Sequence, residues 1–103
     1  MKTVNLSHET AAVFEQSCLR LSGQIEAEAV TQIYQQMLKT PLEPIDQVDL
    51  SQVTSLDSSC LSLLLYLQSQ QTSPVTVVGL PEQAQDLVSL YDLQDVLNWA
   101  PPA

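Results

Sequence analysis

The sequence predicts an α/β fold, with a four-stranded mixed sheet, crossover helices and the element order β-β-α-β-α-β-α. Short stretches of alternating or β-branched residues, typical of strands, are separated by stretches whose apolar residues recur at helical spacing. The chain has 103 residues, which is room for one compact core, and 45% of them are hydrophobic. This composition is that of a globular protein.

The first predicted elements are a strand hairpin and a helix. The strands cover residues 11–14 and 18–22, and in the second of them Leu19 and Leu21 alternate with polar or small neighbours. The spacing then changes. Residues 26–39 are predicted to be a helix, because their apolar residues fall at i, i+3, i+4, i+7 and i+8.

The second half of the chain alternates strand and helix. Residues 45–50 are predicted to be the third strand, and residues 51–59 a polar turn. Five leucines in seven positions then predict the most buried helix of the chain. Residues 75–78 are β-branched throughout and predict the fourth strand, and a third helix follows Pro81. A short last element is expected over residues 92–99.

The rest of the chain is expected to contribute little to the core. Residues 1–103 form one domain in this interpretation, with a flexible N-terminus over residues 1–10 and a flexible C-terminus over residues 100–103. The glutamines are dispersed along the chain and are interpreted as polar residues of helix surfaces.

The charge of the chain restricts its partners. Twelve acidic residues stand against three basic ones, for a net charge of -9, and all three basic residues precede Thr40. An acidic field repels phosphate polyanions and anionic lipid headgroups, so nucleic-acid binding and direct membrane insertion are not expected. A basic protein surface is the natural partner of the acidic C-terminal two-thirds. These acids alternatively form a solvated face that keeps the protein soluble.

Metal and cofactor chemistry has little support in the sequence. The chain has two cysteines, 42 positions apart, one histidine, and neither a CxxC nor an HExxH motif. No cofactor and no metal site are therefore expected. The sequence contains no apolar segment of signal-peptide or transmembrane length, so a cytoplasmic location with reduced thiols is expected.

The segment of greatest functional interest introduces the leucine-rich helix. Asp57, Ser58, Ser59 and Cys60 stand where a polar loop meets that helix. Helix capping by Asp57 or Ser58 explains the polar residues without any further function. The same exposed N–H groups would also stabilise a phosphate on Ser58, which would change affinity for a partner.

These residues resemble the signature of the STAS domain family (sulfate transporter and anti-sigma-factor antagonist). The resemblance extends over residues 11–99. It is carried by Asp49-Leu50-Ser51, Asp57-Ser58-Ser59 and the leucine run. The sequence is most similar to the MlaB-type branch, the STAS subunits of the Mla phospholipid-transport ABC complex. Further residues that support this branch are Leu21-Ser22-Gly23, Val48 through Val53, and Leu87 through Leu93.

The resemblance implies a non-catalytic regulatory subunit. Such a subunit binds the cytoplasmic ATPase of the complex, and through it the permease and the lipid-binding subunits, peripheral to the inner membrane. The complex moves phospholipids and maintains outer-membrane lipid asymmetry. Ser58 stands where the family has a hydroxyl residue, on a partner-facing helix. Cys60 departs from the antagonists, which usually have glycine there.

Other functions remain open at this point. The alternative within the family is an anti-sigma-factor antagonist that is regulated by phosphorylation of Ser58. An enzyme would need Asp49 and Asp57 to meet at the end of the third strand, and no Gly-rich phosphate loop or metal set accompanies them. Asp49, Leu90 and Tyr91 are expected to flank the interface, with Leu90 or Tyr91 as an exposed apolar anchor, unless both are core residues.

Overall fold

A computed structural model describes residues 2–7, 10–39, 44–91 and 97–99. In chain order the elements are β1 (Lys2–Ser7), β2 (Thr10–Glu15), β3 (Cys18–Ile25), α1 (Ala27–Lys39), β4 (Gln47–Leu56), α2 (Ser58–Ser69), β5 (Thr76–Val78), α3 (Glu82–Leu90) and β6 (Asn98–Trp99). The described strands form one sheet in the order β1-β2-β3-β4-β5-β6. β1, β2 and β3 pair antiparallel, and β3 through β6 pair parallel.

The predicted fold class and element order are confirmed, and the sheet of the described residues has two strands more than predicted. The hairpin, the three helices and the mixed sheet are present in the predicted order as β2 through β5 with α1, α2 and α3. Two edge strands, β1 and β6, enlarge the sheet from four strands to six. Within the N-terminus that was predicted to be flexible, residues 2–7 form β1, and Lys2 through Asn5 pair with Phe14 through Ala11. The flexibility of this segment stays a prediction. The predicted flexible end at residues 100–103 lies outside the described residues, as do residues 92–96 of the last element.

The hairpin between β2 and β3 closes through two residues with positive φ. Gln16 has a φ of 50° and Ser17 a φ of 66°. A two-residue hairpin turn with this backbone favours Asn-Gly, because asparagine and glycine adopt positive φ with little strain. Glutamine and serine carry a strain here that the sequence pattern did not indicate.

Relieving this strain is expected to stabilise the protein. The double substitution Gln16→Asn and Ser17→Gly should raise the free energy of unfolding by about 1 kcal/mol, since a left-handed residue costs roughly 1–2 kcal/mol. Both side chains are exposed, so few contacts are lost. Urea denaturation checks this, with Glu15→Asn, which lies before the turn, as the control. An unchanged midpoint would contradict the prediction.

Strand β4 extends beyond its predicted end. The polar residues after Leu50 were expected to form a turn, yet the strand continues to Leu56, which pairs with Ile25. Only one face of the strand is buried, so polar residues such as Ser51 and Thr54 are accommodated on exposed positions. Val53 keeps this part of β4 attached to the core.

One face of the sheet carries the core. Leu19, Leu21 and Ile25 of β3 are fully buried, while the alternate residues Arg20 and Gln24 are exposed. Residues of all three helices belong to the same buried cluster as the strand residues, so the helices cover this face. The most buried helix is α2, as predicted, with Cys60, Leu61, Leu63, Leu64 and Leu67 in the core.

The direction of the helices defines two edges of the sheet. Each helix connects two neighbouring parallel strands and therefore runs back along the sheet. The first turns of α1, α2 and α3 consequently lie together at the carboxyl ends of β3, β4 and β5, which we call the carboxyl edge. Their last turns lie at the opposite end, which we call the amino edge.

Two glutamines have a structural role that the sequence did not indicate. Gln68 accepts a hydrogen bond from the N–H of Val75 at 2.7 Å and donates to the carbonyl of Ser73 at 3.1 Å. Gln71 accepts from the N–H of Ile45 at 3.2 Å. These two side chains are therefore more than surface polar residues. Gln68 holds the connection between α2 and β5, and Gln71 joins this connection to the segment before β4.

Candidate partner-binding site

The site is built at the first turn of α2, on the carboxyl edge. Ser58 is the first residue of the helix and is exposed. Its hydroxyl makes no hydrogen bond within the described part of the chain, and it is therefore free to bond to another molecule. Asp57, not Ser58, is the cap of the helix, since its Oδ1 accepts from the N–H of Ser59 at 2.9 Å. Ser59 itself is half-buried.

The carboxylate of Asp57 also reaches a second helix. Its Oδ2 accepts a hydrogen bond from the N–H of Ala27, the first residue of α1, at 3.3 Å. Two residues before Asp57, the hydroxyl of Ser55 donates to Oε2 of Glu26 at 3.2 Å. The end of β4 and the start of α1 are thus linked by two side-chain hydrogen bonds. One carboxylate satisfies N–H groups that would otherwise lack partners at two helix starts.

Cys60 does not belong to the exposed site. Its side chain is 0% exposed and lies in the core, so the expectation that it contributes to partner binding is wrong. Burial, reinforced by the charge of Asp57, raises the pKa of Cys60 to about 12. A thiol that stays protonated at neutral pH is neither a nucleophile nor a ligand.

Asp49 lies on the other face of the sheet, away from Ser58. Its neighbours in β4, Val48 and Leu50, face the helices, so Asp49 projects from the open face. Asp49 Oδ2 lies 3.5 Å from Nε of Arg20, and Oδ1 accepts from the N–H of Ser51 at 2.9 Å. Asp49 is therefore engaged within the sheet and does not meet Asp57. The geometry needed for a carboxylate pair at the end of β4 is absent from the described residues.

The ion pair of Asp49 predicts a dependence of stability on pH. Partial burial raises the pKa of Asp49, but the hydrogen bonds from Ser51 and the charge of Arg20 outweigh it, and the net pKa is lowered. A lowered pKa in the folded state stabilises the fold above the ordinary aspartate pKa of about 3.9, and this stabilisation is lost as pH falls through the folded value. The contribution should be at most about 1 kcal/mol, because Arg20 is half exposed.

The substitution Asp49→Asn measures this contribution. Compared with wild type, the variant should lose stability at pH 7 and show a smaller further loss between pH 5 and pH 3, by about 1 kcal/mol or less. Unfolding free energies from urea denaturation across this range provide the measurement. If the unfolding free energy of the variant fell between pH 5 and pH 3 as steeply as that of wild type, the role of Asp49 would be contradicted.

Leu90 and Tyr91 lie at the end of α3 and are exposed, by 73% and 52% respectively. They are not core residues. Because α3 has nine residues and runs toward the amino edge, they lie about 12 Å along the helix from its start. They share the helix layer with Ser58 but stand at its other end, so their role as apolar anchors remains a prediction.

Among the described residues, the carboxyl edge carries acidic residues without basic ones. Four acidic residues lie at the starts of the helices on the carboxyl edge: Glu26, Glu28, Asp57 and Glu82. The basic residues lie toward the amino edge, where Lys2 begins β1, Arg20 is third in β3 and Lys39 ends α1. Three acidic residues, Glu15, Asp46 and Asp49, lie toward the same edge and offset them. Two of the acidic residues on the edge that carries Ser58, Glu26 and Glu28, precede Thr40 in the sequence. The charge around the site therefore depends on which edge of the sheet a residue lies on. It does not follow the N-terminal and C-terminal parts of the chain.

Sequence reasoning missed the link between α1 and α2. Ala27 and Asp57 are 30 positions apart, and the hydrogen bond uses the backbone of Ala27, so no side chain at that position signals it. The only available signal was Asp57 itself, an aspartate directly before a helix, which indicated one cap. The second cap depends on how α1 is placed beside α2.

Comparisons with known proteins agree with the resemblance to the STAS domain family. The sequence model of the family described as "Mlab, STAS domain" matches residues 8–98. Two relatives, each called intermembrane phospholipid transport system binding protein MlaB, come from Escherichia coli (strain K12) and Shigella flexneri. Each is 32% identical to this chain over 83 residues, which cover 77% of the chain and 84% of the relative. Among the described residues, no helix combines the length and the apolar character needed to cross a membrane.

Proposed function

The chain belongs to the STAS domain family of the Mlab type, and from this membership we propose that it is a non-catalytic subunit of a phospholipid-transport ABC complex. In this role it binds the cytoplasmic ATPase subunit and supports assembly and activity of the complex. It reaches the permease and the lipid-binding subunits only through the ATPase. Its location is then cytoplasmic, at the periphery of the inner membrane, and the process served is the maintenance of outer-membrane lipid asymmetry.

The observation that carries the proposal is the unengaged hydroxyl of Ser58 at the exposed start of α2. If Ser58 capped the helix, its hydroxyl would be engaged within the protein. Asp57 takes the capping role instead. The helix behind Ser58 is anchored by five core residues, so it presents the hydroxyl on a rigid support. A hydroxyl on a rigid and exposed helix start is suited to contact another polypeptide.

The charge of the carboxyl edge supports a basic docking surface on the ATPase. Glu26, Glu28 and Glu82 are exposed around the site, and the three basic residues of the chain lie elsewhere. Complementary charge mainly raises the association rate and selects the partner. Binding should therefore weaken as the salt concentration rises.

The alternative is an anti-sigma-factor antagonist whose Ser58 is phosphorylated, and the exposure of Ser58 favours access by a kinase. The surrounding charge opposes it. Asp57 already occupies one N–H group at the start of α1 and one at the start of α2, and a phosphate would add further negative charge to an edge with three exposed glutamates. We therefore favour the transport subunit.

Co-purification from native membranes tests the proposal. The chain is tagged in its own host, the membranes are solubilised in detergent, and the captured proteins are identified by mass spectrometry. An ABC transporter ATPase together with its permease is the expected result, with recovery that decreases as salt is raised. Recovery of an anti-sigma kinase without an ATPase would overturn the proposal in favour of the alternative.

A further inference from the structure

Two helices that carry the candidate site touch at two separate places. Along their lengths, the ring of Tyr34 in α1 meets the ring of Tyr66 in α2 edge to face, with centroids 5.3 Å apart and planes at 76°. At their starts, α1 and α2 are joined by the carboxylate of Asp57. Tyr34 is seven residues into α1 from Ala27, so the two contacts are about 10 Å apart along that helix.

Two separate contacts fix the relative placement of a pair of helices more completely than one contact does. The aromatic pair and the core residues of both helices hold the helices in place along their lengths, whereas their first residues, Ala27 and Ser58, are exposed. The second link, at the helix starts, holds these exposed first residues in place relative to each other. Because Ser58 directly follows Asp57 in the chain, any change at the start of α2 moves the Ser58 hydroxyl relative to α1.

We propose that Asp57 is a positioning residue that holds the start of α1 against the start of α2 and so determines the direction in which Ser58 faces its partner. The inference rests on the partner-binding function proposed above. In this role Asp57 is half-buried, and its two oxygens are occupied within the chain by Ser59 and Ala27. It acts through Ser58 and does not contact the partner itself.

The hydrogen bond between Ser55 and Glu26 supports the same arrangement. Ser55 and Asp57 both come from the end of β4, and both reach the first residues of α1. The segment from Ser55 to Ser59 is therefore held on one side by α1 and on the other by its own helix. The partner is expected to meet one composite surface formed by the starts of both helices.

The variant Asp57→Asn separates the two links. Asparagine keeps one side-chain oxygen, which can still accept from the N–H of Ser59 and cap α2. Its amide nitrogen cannot accept from the N–H of Ala27. Glu28→Gln is the matched control, because it removes one negative charge from the same edge and leaves both hydrogen bonds of Asp57 in place.

Two measurements test the inference on the full chain. Amide hydrogen exchange should become several-fold faster at Ala27 in Asp57→Asn and stay unchanged in Glu28→Gln. Affinity for the purified ATPase subunit should fall by about tenfold in Asp57→Asn relative to Glu28→Gln, as expected for the loss of one hydrogen bond to a charged group. The difference should persist at high salt, because it arises from geometry and not from charge.

The outcomes separate this inference from the proposed function. Unchanged exchange at Ala27, or equal affinity of the two variants, would overturn the positioning role of Asp57. If the two variants had equal affinity but the wild-type chain still bound the ATPase, the proposed function would remain intact. Failure of the wild-type chain to bind the ATPase would overturn the proposed function itself, while exchange at Ala27 would still report whether the link between the helices exists.

Discussion

Replacing Ser58 by arginine is expected to abolish binding of the ATPase while the protein stays folded. The long cationic side chain would occupy the exposed start of α2, where the partner is proposed to present a basic surface. Placing like charges opposite each other costs several kcal/mol, and each 1.4 kcal/mol is a factor of ten, so affinity should fall by about 100-fold or more. Isothermal titration calorimetry or surface plasmon resonance with the purified ATPase measures the loss.

Ser69→Arg is the matched control for this prediction. Ser69 is an exposed serine at the other end of the same helix, about 16 Å from Ser58 along the axis. The same substitution there should change affinity by less than about threefold, since only the first turn is proposed to contact the partner. Equal losses for the two variants would show that α2 as a whole, and not its start, forms the interface.

Stability must be measured alongside binding. The cap of α2 is Asp57, so Ser58→Ala should change the free energy of unfolding by less than about 0.5 kcal/mol. This substitution removes only the hydroxyl, and any loss of affinity in it reports the hydroxyl directly. Binding by Ser58→Ala equal to that of wild type would assign the interface to the surroundings of Ser58 and not to its hydroxyl.

Replacing Gly79 by alanine is expected to be among the most destabilising single changes in the chain. Gly79 has a φ of 71°, and a Cβ atom there would lie 2.6 Å from the backbone nitrogen of Ser51 and 2.8 Å from its Cα. The positive φ costs alanine about 1–2 kcal/mol, and overlap with a neighbouring strand adds about 1–3 kcal/mol. The sum is about 2–5 kcal/mol, and thermal unfolding should therefore occur at least about 10 °C lower.

A second substitution at the same position separates the two causes. Asparagine tolerates positive φ better than alanine does, yet it still carries a Cβ atom. Gly79→Asn should therefore recover only part of the stability lost in Gly79→Ala. Full recovery in Gly79→Asn would show that the close approach to Ser51 contributes nothing and that backbone conformation is the whole effect.

Most of the fold could be predicted because its signals are local. The apolar residues of α1 and α2 recur within a few positions of one another, and the strands β2 through β5 show alternation or β-branching. The missed strand β1 pairs through its backbone, and its six residues include only two strongly apolar ones, so its pattern was weak. The extension of β4 was missed because polar residues are compatible with a strand that has one open face.

The candidate site could be predicted only in part. The aspartate and the serines before a leucine-rich helix predicted it at the start of α2, where Ser58 is exposed. The same reasoning grouped Cys60 with the exposed residues and Asp49 with the interface. The structure buries Cys60 and turns Asp49 to the opposite face, because the side on which a residue lies depends on the phase of its helix or strand relative to the core.

The amino-acid sequence by itself determined the α/β class, the order of the central elements, the family and the helix start that carries Ser58. Each of these depends on residues close together in the chain. Only the tertiary structure decided that Asp57 joins α1 to α2, that Gly79 meets Ser51, and that, among the described residues, four acids lie at the carboxyl edge without a basic residue. Those contacts are set by strand register and helix direction, which bring residues 28 or 30 positions apart within a few ångströms.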